Sequence, residues 1–131
     1  MDSSRKQVLL VDDEIPVLET YKRILHPERG EWELHFAQDA DTALQVAAQH
    51  NLDVIVTDVH MAGKDGFDLI RALQTSEHTA RIPIIVVTGD TEPTLKRRAL
   101  DLGATDLLTK PLNREDMVAR IHSALRIKAY Q

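Results

Sequence analysis

Reactive side chains follow four apolar runs of this sequence, each at the point where the run ends. Asp12 and Asp13 follow "QVLLV", Asp58 ends "DVIVTD", Thr88 ends "IPIIVVT" and Lys110 follows "TDLLT". Carboxylates can ligate a hard divalent cation or attack as nucleophiles, and an amino or hydroxyl group beside them can bind an anion. Such chemistry requires a fold that brings the four run ends together.

Each of these residues, taken alone, also has a simpler structural explanation. An aspartate can cap a helix or begin a turn, a threonine can end a strand with a hydroxyl group, and a lysine can lie in solvent. Whether these residues react or only shape caps and turns therefore depends on how the secondary-structure elements that carry them are arranged.

The apolar pattern indicates what those elements are. Short apolar runs alternate with segments in which apolar residues recur at helical spacing. The run "EWELHFA" instead alternates apolar and polar residues, which is typical of an edge strand with one face in water. Pro16 suits the first turn of the first helix, Gly103 the stop of the fourth, and Asn113 the cap of the last.

This alternation predicts an α/β fold, a flavodoxin-like three-layer αβα sandwich around a five-stranded parallel sheet of order 2-1-3-4-5. In that order the half-polar second strand and the short fifth strand occupy the two edges. The carboxyl ends of the strands then meet on one side of the sheet, where folds of this kind bind ligands. We therefore expect the reactive side chains to lie close together.

Three carboxylates gathered on one side of a sheet repel one another and cannot all stay ionised cheaply without a cation. Lys110 supplies one positive charge. The sequence has no cysteine, and none of its six histidines is spaced four residues from another. Oxygen ligands without thiolates or paired imidazoles favour Mg²⁺.

Composition limits the remaining classes of function. The 131 residues, 43 % hydrophobic and 28 % charged, predict one cytoplasmic domain without a membrane span or signal peptide. The net charge of -5 argues against direct binding of nucleic acid. The local basic run Lys96, Arg97 and Arg98 is interpreted as a solvated or partner-facing helix surface. No glycine-rich loop follows a strand, which argues against a nucleotide site.

The segments "VLLVDDE", "DVIVTDVHMAGKDG", "IPIIVVTGD" and "GATDLLTKP" resemble the conserved segments of response-regulator receiver domains of two-component signalling. The resemblance runs from about residue 7 to residue 126, with the motifs in the family's order and at the right element ends. Four motifs in register are far more specific than any one of them.

The resemblance implies a role for each of the reactive residues. Asp58 is implied as the phosphoacceptor, and Mg²⁺ is implied to bind Asp13, Asp58 and the backbone carbonyl of His60, with Asp12 acting largely through water. Thr88 and Lys110 are implied to contact the phosphoryl oxygens, and the Lys110–Pro111 peptide bond is expected to be cis. A carboxylate can accept a phosphoryl group from phosphohistidine when the site positions it and neutralises charge.

Several positions depart from the family pattern. Leu107 stands three residues before Lys110, where the family usually has an aromatic ring. In the family, burial of that ring is coupled to an inward movement of the threonine that corresponds to Thr88, and leucine offers less area to bury and no polar tip. Ala62 stands where the family usually has proline, which leaves the loop after Asp58 less rigid. His60 and Asp90 border the path that the resemblance gives to the hydrolytic water.

Two other functions compete with a phosphorylated switch. A receiver-like interaction domain that no longer uses phosphate is opposed by the intact reactive residues. A phosphohydrolase with an aspartyl-phosphate intermediate generally needs an acid two residues after its nucleophile on the first strand, and here the acids Asp12 and Asp13 are adjacent instead.

The resemblance also implies partners. These are a histidine kinase or phosphotransfer protein as donor, and an output domain or protein reached through the last helices. The chain is interpreted as a single receiver domain over residues 1–131 that can form the N-terminal part of a longer regulator. Ile127 lies off the apolar stripe of the last helix and Tyr130 follows with no helix stop, which suggests a helix that runs on toward an output domain or a phosphorylation-dependent homodimer.

Overall fold

Strands and helices alternate along the whole described chain. The computed structural model describes residues 5–89 and 93–129. The strands are β1 (Lys6–Val11), β2 (Trp32–Ala37), β3 (Val54–Asp58), β4 (Ile84–Thr88) and β5 (Asp106–Thr109). The helices are α1 (Ile15–Leu25), α2 (Ala40–Gln49), α3 (Gly66–Gln74), α4 (Pro93–Leu102) and α5 (Arg114–Ala129), with a 3-10 turn at His26–Glu28.

All the strands pair in parallel in the order β2-β1-β3-β4-β5, so the predicted flavodoxin-like sheet is confirmed. The order reverses at β1, whose neighbours are β2 and β3. In the pairing register, Val11 lies beside Thr57 and Thr88 lies beside Thr109. The residues that follow these pairs, among them Asp12, therefore leave the sheet on one side.

Two apolar cores cover the two faces of the sheet. Helices α1 and α5 pack on one face, with Tyr21 and Met117 fully inside. Helices α2, α3 and α4 pack on the other face, with Phe67 and Ala99 inside. The central strands β3 and β4 are buried along their whole length, as strands covered on both faces must be.

The polar side chains of the edge strand β2 are only partly exposed to solvent. Glu33 and His35 are only partly exposed because they hydrogen-bond to the neighbouring strand β1 through Gln7. The prediction that β2 lies at an edge is confirmed, and its polar face is only partly in water.

Several local signals hold. Pro16 lies in the first turn of α1, Gly103 ends α4 with φ +120, and the Asn113 side chain accepts a hydrogen bond of 2.7 Å from Asp116 N. Within the described ranges, no helix combines the length and apolarity that crossing a membrane would need.

Candidate functional site

The ends of β1 and β3 bring three carboxylates together. Asp12 and Asp13 follow β1 directly, and Asp58 is the last residue of β3. One side-chain oxygen from each of these residues lies within 4.8 Å of the others. Asp12 is completely buried and Asp58 is 6 % exposed. The sequence argument that parallel strands would gather these acids is therefore confirmed.

The end of β5 adds a cation to the cluster. Lys110 follows β5, and its backbone N–H donates to Thr88 O at 2.9 Å, which fixes its position beside β4. Lys110 Nζ lies 3.6 Å from Asp58 Oδ2 and 4.0 Å from Asp12 Oδ2. The expected cis peptide bond between Lys110 and Pro111 is present.

Within the described part of the chain, Asp12 is a buried acid with an unpartnered oxygen and a raised pKa. Its Oδ1 accepts a hydrogen bond of 2.9 Å from Glu14 N, whereas its buried Oδ2 has no hydrogen-bond partner among the described residues. Lys110 at 4.0 Å is an ion-pair contact that is too long for a hydrogen bond. The pKa of Asp12 is raised to about 6, chiefly by burial; the charges of Asp58 and Asp13 act in the same direction, and the Glu14 N–H and Lys110 act against them.

This arrangement fits a hard divalent cation. A buried carboxylate oxygen that lacks a donor is costly, and a cation would satisfy it while relieving the repulsion among the acids. The donor set is made of oxygens, as Mg²⁺ prefers. The residues that stand at the position expected for the metal are therefore chemically suited to it.

The remaining predicted residues lie around the acids. Thr88 is buried at the end of β4, on the same side of the sheet. His60 is exposed on the loop after β3, and its backbone N–H makes a long hydrogen bond of 3.4 Å to Asp58 Oδ1. Asp90 lies outside the described residues.

Sequence reasoning missed three features of this site. Ala62 N donates a hydrogen bond of 3.0 Å to Asp13 Oδ2, although the residue itself carries no functional side chain. Gly66 approaches β3 so closely that a Cβ atom there would lie 2.4 Å from Asp58 O, which explains the glycine of "KDG". Burial, together with the charges of Asp12 and Asp58, raises the pKa of the Tyr21 hydroxyl, an effect that the apolar spacing of the sequence does not reveal.

The basic run that was interpreted as a solvated or partner-facing surface lies on α4, and its three residues are exposed. Lys96 and Arg97 are exposed on α4, but the Arg98 guanidinium lies 4.1 Å from the centre of the Phe67 ring, toward α3. Leu107 is half-buried against the core that lies under α4. Arg98 is exposed and also lines the groove between α3 and α4.

Comparison with known proteins assigns the class. The family of response regulator receiver domains matches residues 8–122. This chain belongs to that family, and its parallel sheet of order 2-1-3-4-5 is the fold expected of it.

Individual relatives are similar over most of the chain. The phosphate regulon transcriptional regulatory protein PhoB of Pseudomonas aeruginosa is 36 % identical over 121 residues, which are 92 % of this chain and 52 % of that protein. The response regulator PleD of Caulobacter vibrioides is 35 % identical over 93 % of this chain and 26 % of its own length. The chain thus spans about half of one relative and about a quarter of the other.

Solved structures agree with the fold. The chemotaxis protein CheY4 of Vibrio cholerae superposes with a TM-score of 0.85 at 30 % identity, covering 92 % of this chain and 99 % of that chain. The receiver domain of the sensor histidine kinase PA1611 of Pseudomonas aeruginosa, described with a magnesium ion in its active site cleft, has a TM-score of 0.83 at 22 % identity, covering 92 % of this chain and 98 % of that one.

Proposed function

We propose that this receiver domain is a phosphorylation-activated switch that accepts a phosphoryl group on Asp58 from the phosphohistidine of a histidine kinase or phosphotransfer protein. The observation that carries the proposal is the cluster in which Asp12, Asp13 and Asp58 face one another within 4.8 Å while Lys110 approaches two of them. A signalling domain of this kind turns over no outside metabolite.

The proposed cation is Mg²⁺, held by Asp12, Asp13, Asp58 and the backbone carbonyl of His60. When bound, it supplies positive charge that offsets the acids and the phosphoryl oxygens. The unpartnered Asp12 Oδ2, in a carboxyl group whose pKa is raised to about 6, supports this assignment, because the metal-free cluster is electrostatically strained.

In the proposed reaction a carboxylate oxygen of Asp58 attacks phosphorus in line with the leaving group. The new O–P bond forms, the P–N bond of the donor breaks, and the imidazole nitrogen keeps the electron pair. Lys110, 3.6 Å from Asp58 Oδ2, neutralises charge on the equatorial oxygens. The Thr88 hydroxyl group is proposed to donate a hydrogen bond to one of those oxygens.

The surface beside the cluster is suited to a protein donor. Ile15, at the start of α1, is 53 % exposed although it is a large apolar residue. A groove of about 310 Å³ lies between α1 and the loop after β5 and is lined among others by Val17, Pro111 and Leu112. Apolar surface next to a reactive carboxylate is suited to docking the donor.

The direct test is intact-mass measurement after incubation with acetyl phosphate. We expect one adduct that requires Mg²⁺, is absent from Asp58→Asn and is retained in the matched control Asp53→Asn, since Asp53 lies just before the start of the same strand. An adduct that survives Asp58→Asn, or forms equally well in excess chelator, would contradict the proposal. Turnover of an aryl phosphate would favour the phosphohydrolase instead.

We also propose that the chain is one receiver domain that passes its signal onward through α4, β5 and α5. Ile127, 43 % exposed near the end of α5, and Leu100, 41 % exposed on α4, are apolar residues left for an output domain or a second copy. Sedimentation with and without a phosphoryl analogue tests association, and the predicted continuation at Tyr130 lies outside the described residues. Unchanged association in both states would contradict the dimer.

A further inference from the structure

The loop between β3 and α3, residues 59–65, carries a hydrogen-bond donor that proline could not supply. Ala62 stands where the family resemblance leads one to expect proline, and its backbone N–H donates to Asp13 Oδ2 at 3.0 Å. Proline has no N–H. The alanine therefore adds a contact to one of the acids, in addition to removing a rigid ring.

The hydrogen bond to Ala62 matters because Lys110 serves only the other two acids. Lys110 Nζ lies within 4.0 Å of Asp12 and Asp58. Among residues 5–89 and 93–129, the Asp13 carboxylate accepts one hydrogen bond, from Ala62 N, and forms no ion pair. A carboxylate repelled by two neighbours would otherwise be free to turn away into solvent.

Contacts other than the one with Asp13 also restrain the loop. Lys64 Nζ binds Asp41 Oδ1 of α2 at 2.8 Å, and Gly66 N donates to Val59 O at 2.9 Å. Gly63, with φ +76, makes the turn that leads from Val59 to Lys64.

At the far end of the loop, Asp65 and Asp68 cap α3 reciprocally, each side chain accepting a hydrogen bond from the other residue's backbone N–H. The loop is thus tied at both ends by contacts that do not involve Asp13.

Alternate amides of the same loop reach two of the three acids. His60 N contacts Asp58 Oδ1 at 3.4 Å and Ala62 N contacts Asp13 Oδ2 at 3.0 Å. The carbonyl group of His60, which the proposed function assigns to the cation, belongs to the same stretch of backbone. This segment therefore links three of the proposed ligands.

We propose that the backbone N–H of Ala62 is a positioning group for Asp13, holding the carboxylate toward Asp12 and Asp58 so that the cation meets a preformed set of ligands. This inference rests on the proposed function, since it concerns the affinity of the same site for Mg²⁺. A metal-ligating side chain that is already held in place loses less conformational freedom when the cation binds, and the smaller entropic cost increases the affinity.

The first experiment compares Ala62→Pro with the matched control Ala62→Ser by calorimetric titration with Mg²⁺. Both variants change an exposed side chain, but only proline removes the N–H. We expect Ala62→Pro to weaken Mg²⁺ binding about fivefold, in the range of one hydrogen bond to a partly solvated charged group, and Ala62→Ser to bind as the wild type does.

The outcomes separate this inference from the function on which it rests. Equal or tighter binding by Ala62→Pro, or equal weakening by both variants, overturns the positioning role while Mg²⁺ binding by the wild type stands. Failure of the wild-type protein to bind Mg²⁺ overturns the proposed function and with it this role. A gain in thermal stability from the rigid proline ring does not imitate weaker binding.

A second measurement needs no proline variant. We expect hydrogen exchange of the Ala62 amide in the metal-free protein to become several-fold faster in Asp13→Ala. The Gly66 amide, which donates to Val59 O, serves as the internal reference. Unchanged exchange at Ala62, or equal acceleration at Gly66, overturns the proposed contact.

Discussion

The two ends of the parallel sheet both carry charged side chains, but only one end satisfies them. Where the strands begin, Gln7 N donates to Asp53 Oδ2 at 2.8 Å, and Gln7 Nε2 and Arg5 both donate to Glu33. His35 Nε2 meets Gln7 Oε1 at 2.7 Å, and burial lowers the pKa of the His35 imidazole. We call this group, Arg5, Gln7, Glu33, His35 and Asp53, the amino-end network.

Where the strands end, the acids Asp12, Asp13 and Asp58 face one another, and a buried oxygen of Asp12 lacks a hydrogen bond among the described residues. Folding alone does not require such a cluster, because buried polar groups are normally paired. The contrast teaches that the amino-end network stabilises the domain, whereas the carboxyl-end cluster holds charge that a cation or a phosphoryl group can use.

The largest expected difference is between two lysines, each beside acids at one end of the sheet. Lys110→Met should slow the phosphorylation of Asp58 on the order of 10²-fold, because it removes one group that stabilises the transferring phosphoryl group. Lys128, 3.9 Å from Asp53 Oδ1, is the matched control, and Lys128→Met should leave the rate within about twofold. Initial rates from intact-mass time courses measure both, and equal slowing would erase the contrast.

The next effect concerns the pH dependence of metal-free stability. The pKa of Asp12 is raised from 3.8 to about 6 on folding, so the folded state holds this proton more tightly than the unfolded chain. The associated stability is therefore present below pH 4 and is lost as the pH rises to about 6, on the order of 2 kcal/mol. Urea unfolding from pH 4 to 8 should show this loss in the wild type relative to Asp12→Asn.

Saturating Mg²⁺ should raise the free energy of unfolding above pH 6 by mass action, and Asp13→Asn should raise metal-free stability while abolishing that response. In the metal-free urea experiment, a difference in unfolding free energy between the wild type and Asp12→Asn that does not vary with pH would show that the buried charge of Asp12 is compensated in another way.

A smaller effect is expected at the amino-end network. Asp53→Ala removes the acceptor of the Gln7 N–H and the partner of Lys128, which should cost about 1–2 kcal/mol of unfolding free energy. Urea unfolding measures the cost, and the yield of phosphorylated Asp58 in the folded protein should not change. A lower yield at unchanged Mg²⁺ affinity would show that the two ends of β3 are coupled.

The smallest effect on the domain itself is expected at Ile127. Because this side chain is 43 % exposed, Ile127→Ser should change the free energy of unfolding by less than about 0.5 kcal/mol. If α5 carries an association surface, the same change should weaken phosphorylation-dependent association in sedimentation. A loss of stability instead would assign Ile127 to the core of this domain.

The apolar periodicity of the sequence was sufficient for the fold and for most of the candidate site. Alternation of strand and helix predicted the sheet order, and with it the meeting of Asp12, Asp13, Asp58 and Lys110, which the structure confirms. Periodicity placed β2 at the edge of the sheet but could not show that His35 meets Gln7 on the neighbouring strand. It also could not reveal that the exposed Arg98 guanidinium lies 4.1 Å from the centre of the Phe67 ring.

The sequence by itself determined which side chains lie at the strand ends, because burial on both faces of a parallel sheet leaves a pattern that is local along the chain. Only the tertiary structure decided how those side chains are held. The contact between Asp13 and Ala62 joins residues 49 positions apart, and it depends on a backbone N–H that no side-chain pattern encodes. The raised pKa of Asp12 likewise depends on burial by elements distant in sequence, because desolvation is a property of the packed site.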